Sequence, residues 1–468
     1  MKKREDQNRI ERAGCFSKYA VKIAGLSAIV CLMTGEYANP SSALEPDEAQ
    51  WETASDSEAV PDYDKPLPSD YEGTLTMWGW DDEYYRTITD AFLKYYPNVT
   101  FEYVSLQNRD LVQRYETELV LGGELPDIAW AVVDSRGEAF ELDMWEHLDE
   151  EPYHFELEEV YDYLHPHLVN SKGNVCGIEQ SLSPAGLAYR RDLAKQYLGT
   201  DDPRELEEMM PDWQSFIEKG KEVYEKSGGE VYMWSGLGDV RQFLQEQQEK
   251  AWTDGNTIDV EGTFGKSIRL VCEFRDEHIS DNLISWTPSW NASFEEDHHI
   301  FTACASWSVR YTIETYDTEG GSTGRWGLMS APEGNANWGG TAMGITKTCK
   351  DKRLAWEFLR FATLSTEGAE ALNSMGLMTA AKRPYEEEPE LKSYQSGWFG
   401  DQDIGAYYMD NILPNIKTRN LTPEDNVIHD RLSLILNVIN KDRTLTADEA
   451  LDILREELKR ELPDFTVY

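Results

Sequence analysis

Tryptophan and aspartate recur together at two places in the first third of this chain. Trp78-Gly79-Trp80-Asp81-Asp82 closes an apolar run, and Pro126-Asp127-Ile128 leads into Trp130. A flat indole stacks on the C–H face of a pyranose, and a carboxylate accepts strongly from its hydroxyls. Together these side chains suit recognition of a sugar by stacking and hydrogen bonding, with no bond made or broken. No Gly-rich phosphate loop, Ser/His/Asp motif or HExxH sequence accompanies them.

Strands and helices must deliver those side chains to one place. Residues 75–80 predict a strand and 83–96 an amphipathic helix with apolar Tyr84, Ile88, Phe92 and Tyr95, closed by Pro97. A second strand at 99–104 follows, then a helix at 109–122 stopped by Gly122-Gly123, then a third strand carrying Trp130. A βαβαβ run of this kind aims its strands' C-terminal ends at one rim of a parallel sheet, where ligands of open α/β sheets bind. Trp80 and Asp81 stand at such an end and are the first candidates for ligand contact. Asp127 reads as a turn or cap residue. Further on, helices are expected at 212–227, 238–252, 353–363, 366–373 and 421–461. Strands are expected at 301–309, 326–331 and 342–346, with a tight turn at 337–341.

At 468 residues the chain exceeds one ordinary core, so two or three domains are expected. A net charge of −43 argues against nucleic acid as a partner. Residues 1–22 carry Lys2, Lys3, Arg4, Arg9, Arg12, Lys18 and Lys22, followed by an apolar stretch at 23–34 that is well short of the roughly 20 residues a membrane-spanning helix needs. Residues 1–43 therefore read as an export signal. Cys31 ends its apolar core as a lipidated cysteine would, although Val30 stands where a small residue is usual. Lipidation at Cys31 and cleavage after Ala43 both remain open. Residues 44–70, acidic and rich in Pro and Ser, read as a disordered tether. Cys176, Cys272, Cys304 and Cys349 lack CxxC spacing, which disfavours zinc and leaves disulfides or lone buried thiols open. His165-Pro166-His167 and Asp297-His298-His299 read as loop histidines, and neither metal nor cofactor is expected.

Five stretches in order resemble family 1 extracellular solute-binding proteins, the sugar receptors of bacterial ABC importers that include the maltose-binding proteins. They are 73–80 with its helix, 123–130 (GELPDIAW), 173–193 (GNVCGIEQSLSPAGLAYRRDL), 326–373, and Ile412-Leu413-Pro414-Asn415-Ile416 with the helical tail. The likeness implies an α/β, two-lobed periplasmic-binding-protein-like fold of type II. Each lobe would be a sheet flanked by helices, with three chain crossings at the hinge. One lobe would hold 71–180 plus 332–385, the other 183–330 plus 386–468, and ligand would close them by hinge bending. It also implies an exported monomer that hands a carbohydrate, in particular an oligosaccharide, to membrane permease subunits of an ABC importer.

Receptors of the maltose type place an aromatic, an acid and an arginine after the PDI sequence, which by resemblance marks Trp130, Asp134 and Arg136. The same resemblance marks Trp307, within Cys304-Ala305-Ser306-Trp307, as a stacking residue of the second lobe. Trp338, before Gly339-Gly340, falls where the chain crosses between lobes, and glycines there permit close backbone approach. Trp234 and Trp290 complete the candidates, while Trp356 reads as helix packing. Two other functions compete. A secreted glycoside hydrolase would need two carboxylates at a set separation, and with 87 acidic residues a pair can always be nominated. The same fold could also take a non-sugar solute such as a polyamine, whose cation would sit over indole rings.

Overall fold

The computed structural model describes residues 63–468. The expected export signal with Cys31, and most of the expected tether, lie outside the described residues. The folded body starts before Tyr71, because Leu67 is buried in the core and Tyr63 packs edge-on against Tyr153.

Two sheets organise the body. The first runs Val99–Ser105, Gly73–Gly79, Ile128–Val132, Thr341–Ile345, Ile178–Glu179. Its first three strands are parallel, as the βαβαβ pattern requires, but Thr341–Ile345 pairs antiparallel to Ile128–Val132 and to Ile178–Glu179. The second runs Ile416–Lys417, Asn335–Asn337, Pro184–Arg190, His299–Ala305, Tyr232–Trp234, with Trp326–Met329 also paired to Pro184–Arg190. The chain passes between the sheets at residues 180–183, at 338–340, and again between Ile345 and Ile416.

Local sequence explains the elements that matter to the cleft. Leu75 and Met77 alternate inward along Gly73–Gly79. Asp81 caps the next helix, Asp82–Phe92, by accepting from the backbone N–H groups of Glu83 and Tyr84 (both 3.0 Å). Tyr84, Ile88 and Phe92, four residues apart, turn that helix's apolar stripe onto the sheet. Asp127 accepts from both the backbone and the hydroxyl of Thr76, tying two strands together as a structural residue. Every residue of Pro184–Arg190 is buried, so this central strand reads as an apolar run rather than an alternation.

The helices expected at 83–96 and 238–252 end early, at Phe92 and Glu246, and two further elements differ in kind. The strand at 301–309 stops at Ala305, and residues 306–316 wind into helical turns, so Trp307 and Tyr311 leave the sheet's end on a helix. The C-terminal helix is two, Asp425–Lys441 and Ala447–Glu461, the second started by a capping box between Thr446 and Glu449. Cys176, Cys272, Cys304 and Cys349 are unpaired and buried, and burial pushes the Cys176 and Cys304 thiols up to about 12.

Candidate functional site

Between the two sheets' ends lies a cavity of about 450 Å³. Six aromatic side chains border it: Trp80 and Tyr84 from the first sheet's side, Trp286, Trp307 and Tyr311 from the second, and Trp338 from the crossing. Between them stand Asn108, Asp134, Gln180, Ser183, Gln242 and Thr341. Trp80 donates its indole N–H to Thr341 Oγ1 (3.1 Å), which fixes the ring just past the strand end. Gly79 makes that geometry reachable, since a Cβ there would fall 2.5 Å from the Trp130 ring.

Asp81 is doubly engaged. Its Oδ1 is the helix cap, and its Oδ2 accepts from Tyr311 Oη (2.6 Å) on the opposite side of the cavity. The adjacent Glu83 pairs with Arg310. Asp134, exposed on the cavity wall, has neither hydrogen bond nor ion pair among the described residues.

The second wall is built on indoles. Trp307 donates Nε1 to Trp338 O (2.7 Å), lies nearly parallel to Trp286 (6.3 Å between centroids, 19°) and meets Trp338 at 69°. Trp286 is 55% exposed and carries a φ of 66°. A left-handed conformation at a bulky residue stores strain, of order 1–3 kcal/mol, and such outliers cluster at ligand contacts. Gly339 and Gly340, at φ 93° and 116°, let the crossing turn beneath these rings. A Cβ at Gly339 would sit 2.8 Å from Trp307 Nε1, and one at Gly340 would sit 2.5 Å from Glu179 Oε1.

Four of the sequence candidates lie elsewhere. Trp130 is fully buried in a central strand and meets Tyr84 edge-on (5.5 Å), so it supports a cavity residue from beneath. Arg136 is buried and forks onto Glu179 (2.7 and 3.2 Å), spending its donors within the protein. Trp234 packs among Trp213, Phe216, Phe243 and Phe274 in the second core. Trp290 is buried and donates Nε1 to Asp239 Oδ2 (3.0 Å), while its ring backs Trp286 (5.0 Å). In each case the indole or guanidinium finds more apolar area, or a buried partner, inside a lobe than at the cleft.

Sequence reasoning did not select Tyr84, Trp286, Tyr311 or Gln180. Tyr84 reads as part of an apolar helix stripe, and Tyr311 lies beyond a strand expected to run to 309. Tyr84 and Gln180 line the cavity, and their Oη and Nε2 atoms are buried without a protein partner. A buried polar atom left unpaired costs roughly 1–3 kcal/mol, so both favour a ligand rich in hydrogen-bonding groups. Among the described residues no group of three or more His, Cys, Asp or Glu is arranged to hold a metal ion.

Two sheets flanked by helices, crossed three times by the chain and facing each other over an aromatic cavity, define a two-lobed binding protein. Solved structures share that fold. An extracellular solute-binding protein of family 1 superposes with a TM-score of 0.74 at 18% identity, over 83% of this chain and 99% of that one. The galacto-N-biose-/lacto-N-biose I-binding protein of the ABC transporter from Bifidobacterium longum, in complex with lacto-N-biose, superposes at 0.68 with 18% identity, over 85% and 99%. In sequence, the lactose-binding protein of Rhizobium radiobacter is 23% identical over 310 residues, 62% of this chain and 70% of that protein. A family profile described as bacterial extracellular solute-binding protein matches residues 87–395. The chain belongs to that family.

The buried pair and the exposed indole should behave oppositely on substitution. Arg136→Met leaves Glu179 charged and unpaired, and urea unfolding should show a loss of about 3–5 kcal/mol. Trp286→Ala should cost about 1 kcal/mol or less in the same assay.

Asp239 adds a pH signature. Burial pushes its carboxyl up to about 6, against hydrogen bonds from Ser285 and Trp290 that favour the anion. An unfolded aspartate titrates near ~3.9. The folded state therefore holds the extra proton between those values, and this group's contribution to stability falls as pH rises from about 4 to 6. Asp239→Asn removes that slope. Subtracting its stability from the parent's should give a difference that falls by up to ~3 kcal/mol as pH rises across this range, and a flat difference would show that the Asp239 carboxyl is not raised by burial.

Proposed function

We propose that this protein captures a sugar, an oligosaccharide in particular, between its two lobes and delivers it to the membrane permease subunits of an ABC importer. The observation that carries this is the pairing of exposed indoles with buried, partnerless polar atoms in one cavity. Trp80, Trp286 and Trp307 offer faces for pyranose rings, and Tyr84 Oη and Gln180 Nε2 offer hydrogen bonds to hydroxyls. The lactose-binding relative and the lacto-N-biose complex support a saccharide.

In this reading the ligand-contacting residues are Trp80, Asp81, Asp134, Trp307 and Trp338, joined by Trp286, Tyr84, Tyr311 and Gln180. Residues 63–180 plus 341–385 form one lobe, and 183–337 plus 386–468 the other; the boundary expected at 332 shifts because Asn335–Asn337 pairs within the second sheet. Hinge bending at the three crossings closes them on the ligand. The protein acts as an exported monomer and does no chemistry. Asp81 spends both oxygens on the helix cap and Tyr311, which suits a fixed acceptor rather than a group that exchanges protons. No helix among the described residues is long and apolar enough to cross a membrane.

A thermal-shift screen against neutral mono- and oligosaccharides tests this, because a ligand bound only by the folded state raises the melting point. At least one neutral oligosaccharide should do so and be recovered uncleaved. Trp286→Ala and Trp307→Ala should each weaken that ligand by roughly tenfold, as loss of an aromatic stack worth about 1–2 kcal/mol implies, with calorimetry as the readout. Unchanged affinity in both variants, or cleavage of the sugar, would remove the proposal.

A further inference from the structure

Trp286 is the most exposed of the six aromatic side chains around the cavity, and its segment of chain has few ties to the lobe. Residues 281–283 are laced to the second sheet's side by backbone bonds, from Asp281 N–H to Trp234 O (3.1 Å) and from Leu283 N–H to Ser235 O (2.8 Å). Past Leu283 that lacing stops. The backbone turns through Trp286 at a φ of 66°, and the Thr287 hydroxyl bonds locally, to Ile284 O and Trp290 N–H. Among the described residues, one hydrogen bond ties residues 284–287 to anything beyond residue 291. Ser285 donates its hydroxyl to Asp239 Oδ1 (2.7 Å).

Asp239 takes a second bond from the same segment. Trp290 donates Nε1 to Oδ2 (3.0 Å), packs edge-on against Phe294 (4.8 Å) and places its ring behind Trp286 (5.0 Å). The two donors bracket Trp286, Ser285 just before it and Trp290 one helical turn after it. Asp239 stands on the first turn of the helix Leu237–Glu246, whose start is shaped to admit the segment. A Cβ at Gly236 would fall 2.3 Å from Leu283 O, and one at Gly238 would fall 2.9 Å from Ser285 Oγ. The Asp239 carboxyl is buried and has no ion pair among the described residues. Burying a carboxyl without a cation costs free energy. Both of its side-chain hydrogen bonds go to the Trp286 segment, so what that burial secures is the segment's position.

We propose that Asp239 is the positioning residue for Trp286: by accepting from Ser285 and Trp290, it holds an exposed indole on a left-handed backbone with its face toward the sugar. This rests on the sugar-capture reading and adds a residue that does not itself line the cavity. Without the clamp, the Trp286 backbone is free to leave the left-handed region, and a ligand has to spend binding free energy on ordering it again. Asparagine can replace the carboxyl, donating to Ser285 Oγ and accepting from Trp290 Nε1, whereas alanine can do neither.

The test joins calorimetry of the full chain with lactose, maltotriose and galactobiose to fluorine NMR of the ligand-free protein labelled with fluorotryptophan. The Trp286 resonance is the one missing from Trp286→Phe. Asp239→Ala and Ser285→Ala should each shift or broaden it and weaken the bound saccharide by roughly three- to tenfold, and Asp239→Asn should restore most of the loss. In a Trp286→Ala background the same substitutions should cost less than about twofold more, because a residue acting through Trp286 has nothing left to position. Ser285→Ala removes only one of the two bonds, and it decides the matter alone if Asp239→Ala does not fold. An unmoved Trp286 resonance, an unchanged affinity, or losses that multiply with that of Trp286→Ala would overturn the positioning role and leave sugar capture intact. A parent chain that binds no neutral saccharide would remove sugar capture, and this inference with it.

Discussion

Arg136 and Glu179 form a forked ion pair with almost no solvent contact, and three separate pieces of the cleft are anchored to it. Asp134 lies two residues before Arg136 on the same short helix. Gln180 follows Glu179 directly and opens the first crossing between the sheets. Gly340, at the second crossing, sits so close to Glu179 that only a glycine fits there. Two charges taken out of water gain little net stability, but removing either leaves the other stranded. The pair therefore acts as a registration device: helix, first crossing and glycine turn can adopt one mutual arrangement, and the cavity's polar groups inherit it.

The second wall follows the same logic with different chemistry. Trp290 and Ser285 converge on the buried carboxyl of Asp239, and the Trp290 ring backs Trp286, which in turn lies alongside Trp307. An indole this exposed on a strained backbone has to be held by what stands behind it. The two walls then meet through Tyr311 on Asp81 and Arg310 on Glu83, so the side chains that join the walls are themselves part of the cavity rim. A site assembled from fixed acceptors and flat rings is organised to bind. The carboxylates nearest its centre are either already bonded or exposed to water.

How tryptophan is distributed shows where a sequence can be read and where it cannot. Trp80, Trp307 and Trp338 were legible as cavity residues because a strand end, a family motif and a pair of glycines mark them. Trp130, Trp234 and Trp290 have similar neighbours in sequence but are buried. An indole gains from apolar burial wherever a core has room, and room is a property of neighbours distant along the chain. Arg136 was placed at the ligand for the same reason that it is absent from it: the fork that suits a sugar hydroxyl suits Glu179 better, and Glu179 lies 43 residues away.

Local chemistry settled much of this protein before any tertiary contact. Apolar periodicity set the early strands and helices, Asp81 the start of a helix, Gly122 its neighbour's end, and the order of five motifs the family and its two-sheet plan. These depend on interactions within a few residues, which the sequence states directly. The composition of the cavity was decided only when the sheets faced each other. Tyr84 and Gln180 are ordinary until burial strips them of partners. Trp286 is an irregular-loop residue until Trp290 and Trp307 hold it. One acidic groove exists only because Glu116 and Glu138 meet Asp430, nearly 300 residues further along the chain, around the same cavity. Desolvation and long-range proximity give these residues their character, and neither is encoded at a single position.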